Sequence, residues 1–383
     1  MPWSNRLDLT PLNRLSQHRH DLLADGFELT DLTDSNPTRH GLFDAGLLDI
    51  IASQAGSASR YQPTPAGPWP ARAALAERFG GDPDDYWLTA STSEAYSWLF
   101  TILADPGDWL AIPRPGYPLI EPLAHLAAIG CRPYDAYYFH PSGWETDLDQ
   151  LRRLCQAPGC RALVAVNPNN PTGAYAEASM IDIAARTNQP LIADEVFFPF
   201  TLDEAAHQRL AGTTECLTFG LDGLSKLLAA PQLKLGWIRL SGPKGQLTTA
   251  RRALDLVADS FLSVNALVAG ALPTLLDQAD ASIERIKTRL ATNLATANQR
   301  LAGLRLRQAA GGWMLLVDLP GLLDPDELAL ALMDRAGLSV HPGYYYDLPG
   351  DTIALSLLPE PAVFAEACQR LTAVLAVLTD ELT

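Results

Sequence analysis

The segment GLSKLLAAPQLKLGW holds the residue with the most chemical potential, Lys226. A lysine is ordinarily a solvated surface charge. Lys226 instead follows an apolar strand and Ser225 and precedes an apolar stretch, which points to a partly dry site. There the ammonium pKa falls, and the neutral amine becomes a nucleophile able to form a Schiff base. In LIADEVF, Asp194 ends a buried apolar strand. Such a carboxylate either caps or pairs structurally, or it faces a pyridine nitrogen, keeping it protonated and the ring an electron sink. VNPNNPTG is a polar turn in which Asn170 can bond a phenolate oxygen, although Asn, Pro and Gly also make turns with no ligand. STSEAYS opens a helix whose first N–H groups, with the hydroxyls of Ser91 and Ser93, make an anion site; a plain N-cap is the simpler use of the same residues.

These residues need a scaffold. From about residue 68 the pattern alternates helix and short strand. PWPARAALAERF is a helix with prolines at its start and Gly80-Gly81 beyond its end. YWLT, WLAIP, RALVAV, PLIAD, ECLTF and KLGWIRL are predicted strands, with helices over SEAYSWLFTILA, PLIEPLAHLAAIG and IDIAARTN. Alternation of this kind predicts an α/β fold with a mostly parallel sheet covered on both faces. Ligands in such sheets sit beyond the carboxyl ends of the strands. The polar segments STS, PRPGY, NPNNPTG and DEVF fall there, and GLSK follows ECLTF. After about residue 244 comes a long helical stretch, TTARRALDLVADSFLSVNALVAGALPTLL, then another over roughly 280–303. MLLVDL, DELALALMDRAG, IALSLL and a helix over 361–381 complete a smaller α+β region. The predicted division is a large domain over 46–275 and a small one from 1–45 and 276–383.

Composition narrows the function. In 383 residues, 28 Lys+Arg face 44 Asp+Glu, a formal net charge of −16, which excludes the footprint of a general nucleic-acid binder. With 48% hydrophobic and 19% charged residues, the chain reads as globular and not as disordered. No apolar run reaches ~18 residues, so no membrane partner is expected. The N-terminus shows no apolar core of signal-peptide type. Five scattered cysteines without a CxxC pair suit a reducing, cytoplasmic compartment. No metal site is expected, since the seven histidines lack ligand spacing. GxGxxG after a strand and GxxxxGK[ST] are both absent from the sequence.

The ordered set STSEA, PGY, NNPTG, DEV and GLSK resembles the class I/II aminotransferases of the aspartate-aminotransferase superfamily, fold type I pyridoxal-phosphate enzymes. The resemblance runs from about Asn36 to Leu358. It implies pyridoxal 5'-phosphate as cofactor and an amine and a keto acid as substrates. It implies Lys226 as the Schiff-base lysine and general base, and Asp194 as partner of the pyridine nitrogen. Asn170 matches the contact to the phenolic oxygen, and Tyr117 the aromatic on the ring. Ser91, Thr92, Ser93 and Ser225 match phosphate ligands. Tyr61 in RYQPTPAG matches a tyrosine reaching the neighbouring subunit's phosphate, which implies a homodimer.

Three positions depart from that pattern. Lys234 stands where the family usually has a phosphate-binding arginine; charge is kept but the planar fork is lost. Phe197 stands for a tyrosine, so one hydrogen bond to the phenolic oxygen is missing. IALS stands for IRLS, with Ala354 in place of the arginine that clamps the substrate carboxylate. Arg39 in DSNPTRHGL is a candidate replacement, with Ser35 and Asn36 as polar contacts, and Tyr344 to Tyr346 could supply aromatic walls. An aminotransferase is the first reading. A lyase, decarboxylase or oxidase using the same electron sink is the second. A non-catalytic cofactor-binding module is the third.

Overall fold

The computed structural model describes residues 3–262, 264–321, 323–348 and 350–382. Fourteen strands are formed among them: β1 Thr30–Asp31, β2 Tyr86–Thr89, β3 Trp109–Arg114, β4 Gly130–Phe139, β5 Gly143–Thr146, β6 Cys160–Val166, β7 Leu191–Asp194, β8 Thr218–Gly223, β9 Gly236–Ser241, β10 Arg305–Leu306, β11 Met314–Asp318, β12 Leu338–Ser339, β13 His341–Pro342 and β14 Thr352–Ser356. β2 to β9 form one sheet in the order β2-β9-β8-β7-β6-β3-β4-β5. Its interior pairs β8–β7, β7–β6, β6–β3 and β3–β4 are parallel, and antiparallel strands close both edges.

The interior strands are apolar on both faces, as burial between two helix layers requires. In β3, Leu110 and Ile112 face one core, with Tyr96 and Leu99 of the helix Thr92–Leu103. Trp109 and Ala111 face the other, with Leu151 and Ile183. Leu163 is wholly buried there; its truncation to alanine would cost about 2–5 kcal/mol. Gly80 ends the helix Trp69–Phe79 at φ +82°, a conformation that would strain any residue with a Cβ.

A second sheet, β10-β11-β14-β13, is antiparallel throughout, and β1 pairs in parallel with β12. The N-terminal segment thereby joins residues more than three hundred positions downstream. One face of the second sheet packs with the helices Ala279–Arg300 and Pro361–Leu382 through Leu290, Leu315, Leu355 and Phe364.

Four local expectations are corrected. Gly130–Phe139 and Gly143–Thr146 are strands that the sequence reading passed over. The strand expected over ECLTF runs later, through Gly223, and so ends three residues before Lys226. The long helical stretch is two helices, Lys244–Phe261 and Ala266–Leu276, broken where Leu262 takes φ +68° and Asn265 caps the second. Pro361–Glu381 is long and apolar enough by composition to cross a membrane. Its face of Phe364, Cys368 and Leu371 is instead buried in the core.

Candidate active site

The chemistry-bearing residues gather at the carboxyl ends of four strands that neighbour one another in the large sheet. Tyr117 follows β3, Asn170 follows β6, Asp194 ends β7, and Lys226 follows β8 on the short helix Leu224–Leu227. The register fixes this edge, because Val166, Asp194 and Leu221 are side by side on β6, β7 and β8. The Asn167 N–H donates to the Asp194 carbonyl at 2.7 Å, tying the NPNNPTG turn to β7. Asn169 ties the turn to the Tyr117 loop by donating to the Pro115 carbonyl at 3.2 Å.

Lys226 is half-buried as a residue, but its amine is walled by aromatic rings. Nζ lies 5.2 Å from the ring centre of Phe197 and 4.9 Å from that of Trp313. The two rings meet edge to face at 5.3 Å. Burial pushes the ammonium down to about 8, against a partial pull upward from Asp194. Asp194 is buried and shifts the opposite way, to about 6, because desolvation outweighs the bonds that favour its charge. Those bonds come from the Val196 N–H at 3.3 Å and the Tyr96 hydroxyl at 3.0 Å. The amine is thus brought toward nucleophilic form near neutral pH, while the carboxylate is held ready for a proton-bearing partner.

At the start of the helix Thr92–Leu103, Ser91 is the N-cap and accepts from the Glu94 N–H at 3.2 Å. Glu94 reaches back to the Ala90 N–H. The N–H groups of Thr92 and Ser93 have no intrahelical acceptor at these positions. Such N–H groups at the positive end of a helix are suited to an anion. The carboxamide Oδ1 of Asn170 is buried without a hydrogen-bond partner. An orphaned polar atom on the turn that follows β6 fits a bound polar group, and rotation of the amide offers either its oxygen or its nitrogen. Tyr117 is 41% exposed, yet burial around its hydroxyl, with the charge of Asp194 added, raises its pKa. This donor set fits pyridoxal phosphate: an amine, a carboxylate, an amide, a helix N-terminus and an exposed ring.

Other expected site residues lie differently. Phe197 lies in the aromatic wall and carries no hydroxyl. Ser225 is half-buried beside Lys226. Lys234 is exposed, in left-handed backbone at φ +51°. Tyr61 is 71% exposed. The Asn36 side-chain oxygen accepts from the Thr38 N–H at 3.1 Å and from the Thr38 hydroxyl at 2.8 Å, and Ser35 precedes it on the same loop. The Arg39 side chain is 69% exposed and lies 3.3 Å from Asp34. Ala354 is fully buried in β14. A cavity of about 650 Å³ lined by Tyr175, His207, Arg307 and Gln308 includes none of Lys226, Asp194 or Tyr117.

Two residues of the site escaped the sequence reading. Tyr96 stands in the STSEAYS motif, but the helical pattern gave it only as an apolar position. Trp313 comes from the approach to the second sheet, just before β11, and no local signal in the sequence marked it.

Comparison with known proteins agrees with this geometry. The family pattern described as aminotransferase class I and II matches residues 32–371. An alanine aminotransferase of Mycobacterium bovis is 29% identical, over 93% of this chain and 87% of that protein. The glutamate-pyruvate aminotransferase AlaA of Escherichia coli is 28% identical, over 79% of this chain and 73% of that protein. The alanine aminotransferase structure from Pyrococcus furiosus superposes with a TM-score of 0.85 at 22% identity, covering 95% of this chain and 96% of that one.

Proposed function

The chain belongs to the class I and II aminotransferases, fold type I enzymes that depend on pyridoxal phosphate, and from that premise we propose how its own residues divide the work. When bound, the cofactor supplies an aldehyde for amines and a ring that withdraws electrons from the substrate Cα. Lys226 would hold the cofactor and, with its amine free, would move the proton at the substrate Cα. Asp194 would keep a proton on the ring nitrogen. Asn170 would bond the phenolic oxygen, Tyr117 would lie against the ring, and Ser91, Thr92, Ser93, Ser225 and Lys234 would hold the phosphate. Ser35, Asn36 and Arg39 are assigned to the substrate side.

The observation that carries this reading is geometric: a buried aspartate ends β7, and after the adjacent strand β8 stands a lysine whose amine is walled by Phe197 and Trp313. The two domains are 46–275 and 1–45 with 276–383. The protein works as a cytoplasmic homodimer in which Tyr61 serves the partner's phosphate. Large apolar residues left exposed support that assembly. Phe261 and Leu262 precede the helix Ala266–Leu276, Leu267 lies in its first turn, and the helix packs on the turn leading to Tyr61.

Borohydride reduction of the loaded protein followed by peptide mass spectrometry tests the assignment. The cofactor mass should appear on the Lys226 peptide and vanish in Lys226→Ala. One equivalent of oxo product per bound cofactor, with no acceptor present, is expected from a responsive amine. Repeated turnover without acceptor would favour the lyase, decarboxylase or oxidase reading.

A further inference from the structure

Glu195 follows Asp194 directly, yet the two carboxylates share no hydrogen-bond partner. Glu195 is 1% exposed. Among the described residues its side chain accepts from four groups. The Asn167 amide lies 3.0 Å away, the Arg209 guanidinium 2.9 Å, and the N–H groups of Leu210 and Ala211 2.7 and 3.4 Å. All four are donors, which suits the acceptor-only oxygens of a carboxylate. Arg209 is held in turn over the ring of Phe198, 4.2 Å from its centre. The Glu195 backbone is fixed as well, because its N–H donates to the Leu221 carbonyl of β8 at 2.9 Å. A buried carboxylate satisfied on this scale is a rigid point from which other groups can be held.

Asn167 carries that rigidity toward the site. It is fully buried and opens the turn that bears Asn170. Its side-chain nitrogen donates to Glu195 and also to the Gln208 carbonyl at 3.2 Å, while its oxygen accepts from the Ala176 N–H at 3.0 Å. One amide thus closes the base of a loop running from 167 to 176. Within it, the Asn169 N–H donates to the Ala174 carbonyl at 2.7 Å, and the Gly173 N–H to the Asn169 carbonyl at 2.8 Å. Asn170 stands inside these cross-links with its own Oδ1 unpartnered. The far side of the loop braces the approach to Trp313, where the Gly173 carbonyl accepts from the N–H groups of Ala310 and Gly311 at 3.1 and 3.0 Å. A Cβ on Gly173 would come within 2.5 Å of Ala309 and of the Gly311 carbonyl, so the two segments are in close contact.

We propose that Glu195 is a positioning residue for the reaction: its buried carboxylate fixes the Asn167 amide, and the loop 167–176 built on that amide sets where the Asn170 side chain stands for the cofactor's phenolic oxygen. Glu195 bonds neither Asn170 nor Lys226, so it acts through Asn167. This rests on the aminotransferase reading of Lys226 and deepens it.

A double-variant cycle of Glu195→Ala and Asn170→Ala tests it with two signals. The first is the pH midpoint of the bound cofactor's visible absorbance. A hydrogen bond to the phenolic oxygen favours its ionised form, so losing one raises that midpoint. Glu195→Ala should raise it as Asn170→Ala does, and the double variant should add nothing to Asn170→Ala. Glu195→Gln keeps an oxygen for Asn167 and should restore the wild-type midpoint. The second signal needs no cofactor: amide hydrogen exchange over 167–176 should quicken roughly tenfold or more in Glu195→Ala, with β3 unchanged. An unmoved midpoint, or a shift that adds in full to that of Asn170→Ala, overturns the proposal. So does a fall in melting temperature with neither signal moved, the mark of a merely structural role. If Glu195→Ala does not fold, Asn167→Ala cuts the same link from the other side and should give the same two shifts; an unmoved midpoint there overturns the proposal equally. If borohydride leaves no cofactor mass on Lys226 in wild type, the aminotransferase reading fails instead, and the exchange rates alone decide whether Glu195 holds the loop.

Discussion

The hydroxyl of Tyr96 donates to Oδ2 of Asp194 across 3.0 Å, from the helix Thr92–Leu103 to the end of β7, with both groups buried. Burial, reinforced by the neighbouring carboxylate, holds the phenol far above its ordinary pKa, so it stays a donor at all working pH values. The bond favours the charged carboxylate and opposes the desolvation that raises it.

Tyr96→Phe removes that donor and keeps the ring, which packs against Phe100 at 5.7 Å. A hydrogen bond to a charged group contributes about 1.5–3 kcal/mol, so the cofactor should bind roughly tenfold or more weakly. Asp194 should ionise at higher pH than in wild type, moving the acid limb of the activity profile upward. Fluorescence titration of the cofactor and a pH–rate profile check both effects. An unmoved acid limb would reduce Tyr96 to a packing role.

The amine of Lys226 gives a second pH dependence. Its ammonium is lowered from 10.5 to about 8 by burial, so the neutral fraction rises nearly tenfold per pH unit below that point and then levels off. Competitive acetylation of the cofactor-free protein, read by mass spectrometry at the Lys226 peptide, should show a midpoint near 8. In Asp194→Asn the midpoint should fall further, because the one charge pulling it upward is gone. A midpoint at the ordinary lysine value would mean the site is wet.

How much of this was legible depended on what each residue's role required. Lys226 and Asn170 follow strands and Asp194 ends one, so position in the chain predicted that they would share the sheet edge where ligands bind. Tyr96 shows the limit. In SEAYSWLF its pattern is that of a core aromatic, and only the rotation of the helix against β7 decides that its hydroxyl meets Asp194. Trp313 reaches Lys226 from the second sheet, a contact set by how the two sheets pack and by no local signal. The break at Leu262 was hidden because apolar residues continue the helical spacing on both sides of it. Gly130–Phe139 was missed because its burial is mixed on both faces, without the apolar run that marks the interior strands.

Asp222 bears on stability and not on the site's chemistry. One of its oxygens accepts from the Gly223 N–H at 2.8 Å, while Oδ2 is buried without a hydrogen-bond partner, 3.8 Å from Arg209. Burial raises the carboxyl from 3.8 to about 7. Between those values the native state holds a proton that the unfolded chain has released, so stability is lost as pH rises through the interval. Asp194 adds a loss of the same sign up to about 6 in the cofactor-free protein. The melting temperature of the cofactor-free protein should therefore fall between pH 5 and pH 8, by roughly several degrees. Asp222→Asn removes one of the two carboxyls and should flatten the decline, leaving a more stable protein at pH 8. Calorimetric melts at both pH values give the comparison; an identical decline in the variant would clear Asp222 of the cost.

Tyr61 can be tested without knowing the substrate. It is 71% exposed on its own chain, so its ring and hydroxyl are accessible to a neighbouring subunit. If it serves the partner, mixing Lys226→Ala with Tyr61→Ala chains creates hybrid dimers of unequal sites. One site then lacks both groups, and the other has an intact Lys226 and an intact Tyr61 from the partner. Tight cofactor binding should reappear at up to one site per hybrid, above the level of either parent. If Tyr61 serves its own chain, each hybrid site keeps one defect and mixing recovers nothing. Size-exclusion chromatography of the mixture, with bound cofactor read by absorbance after exchange of subunits, separates the two outcomes and reads the oligomeric state in the same run.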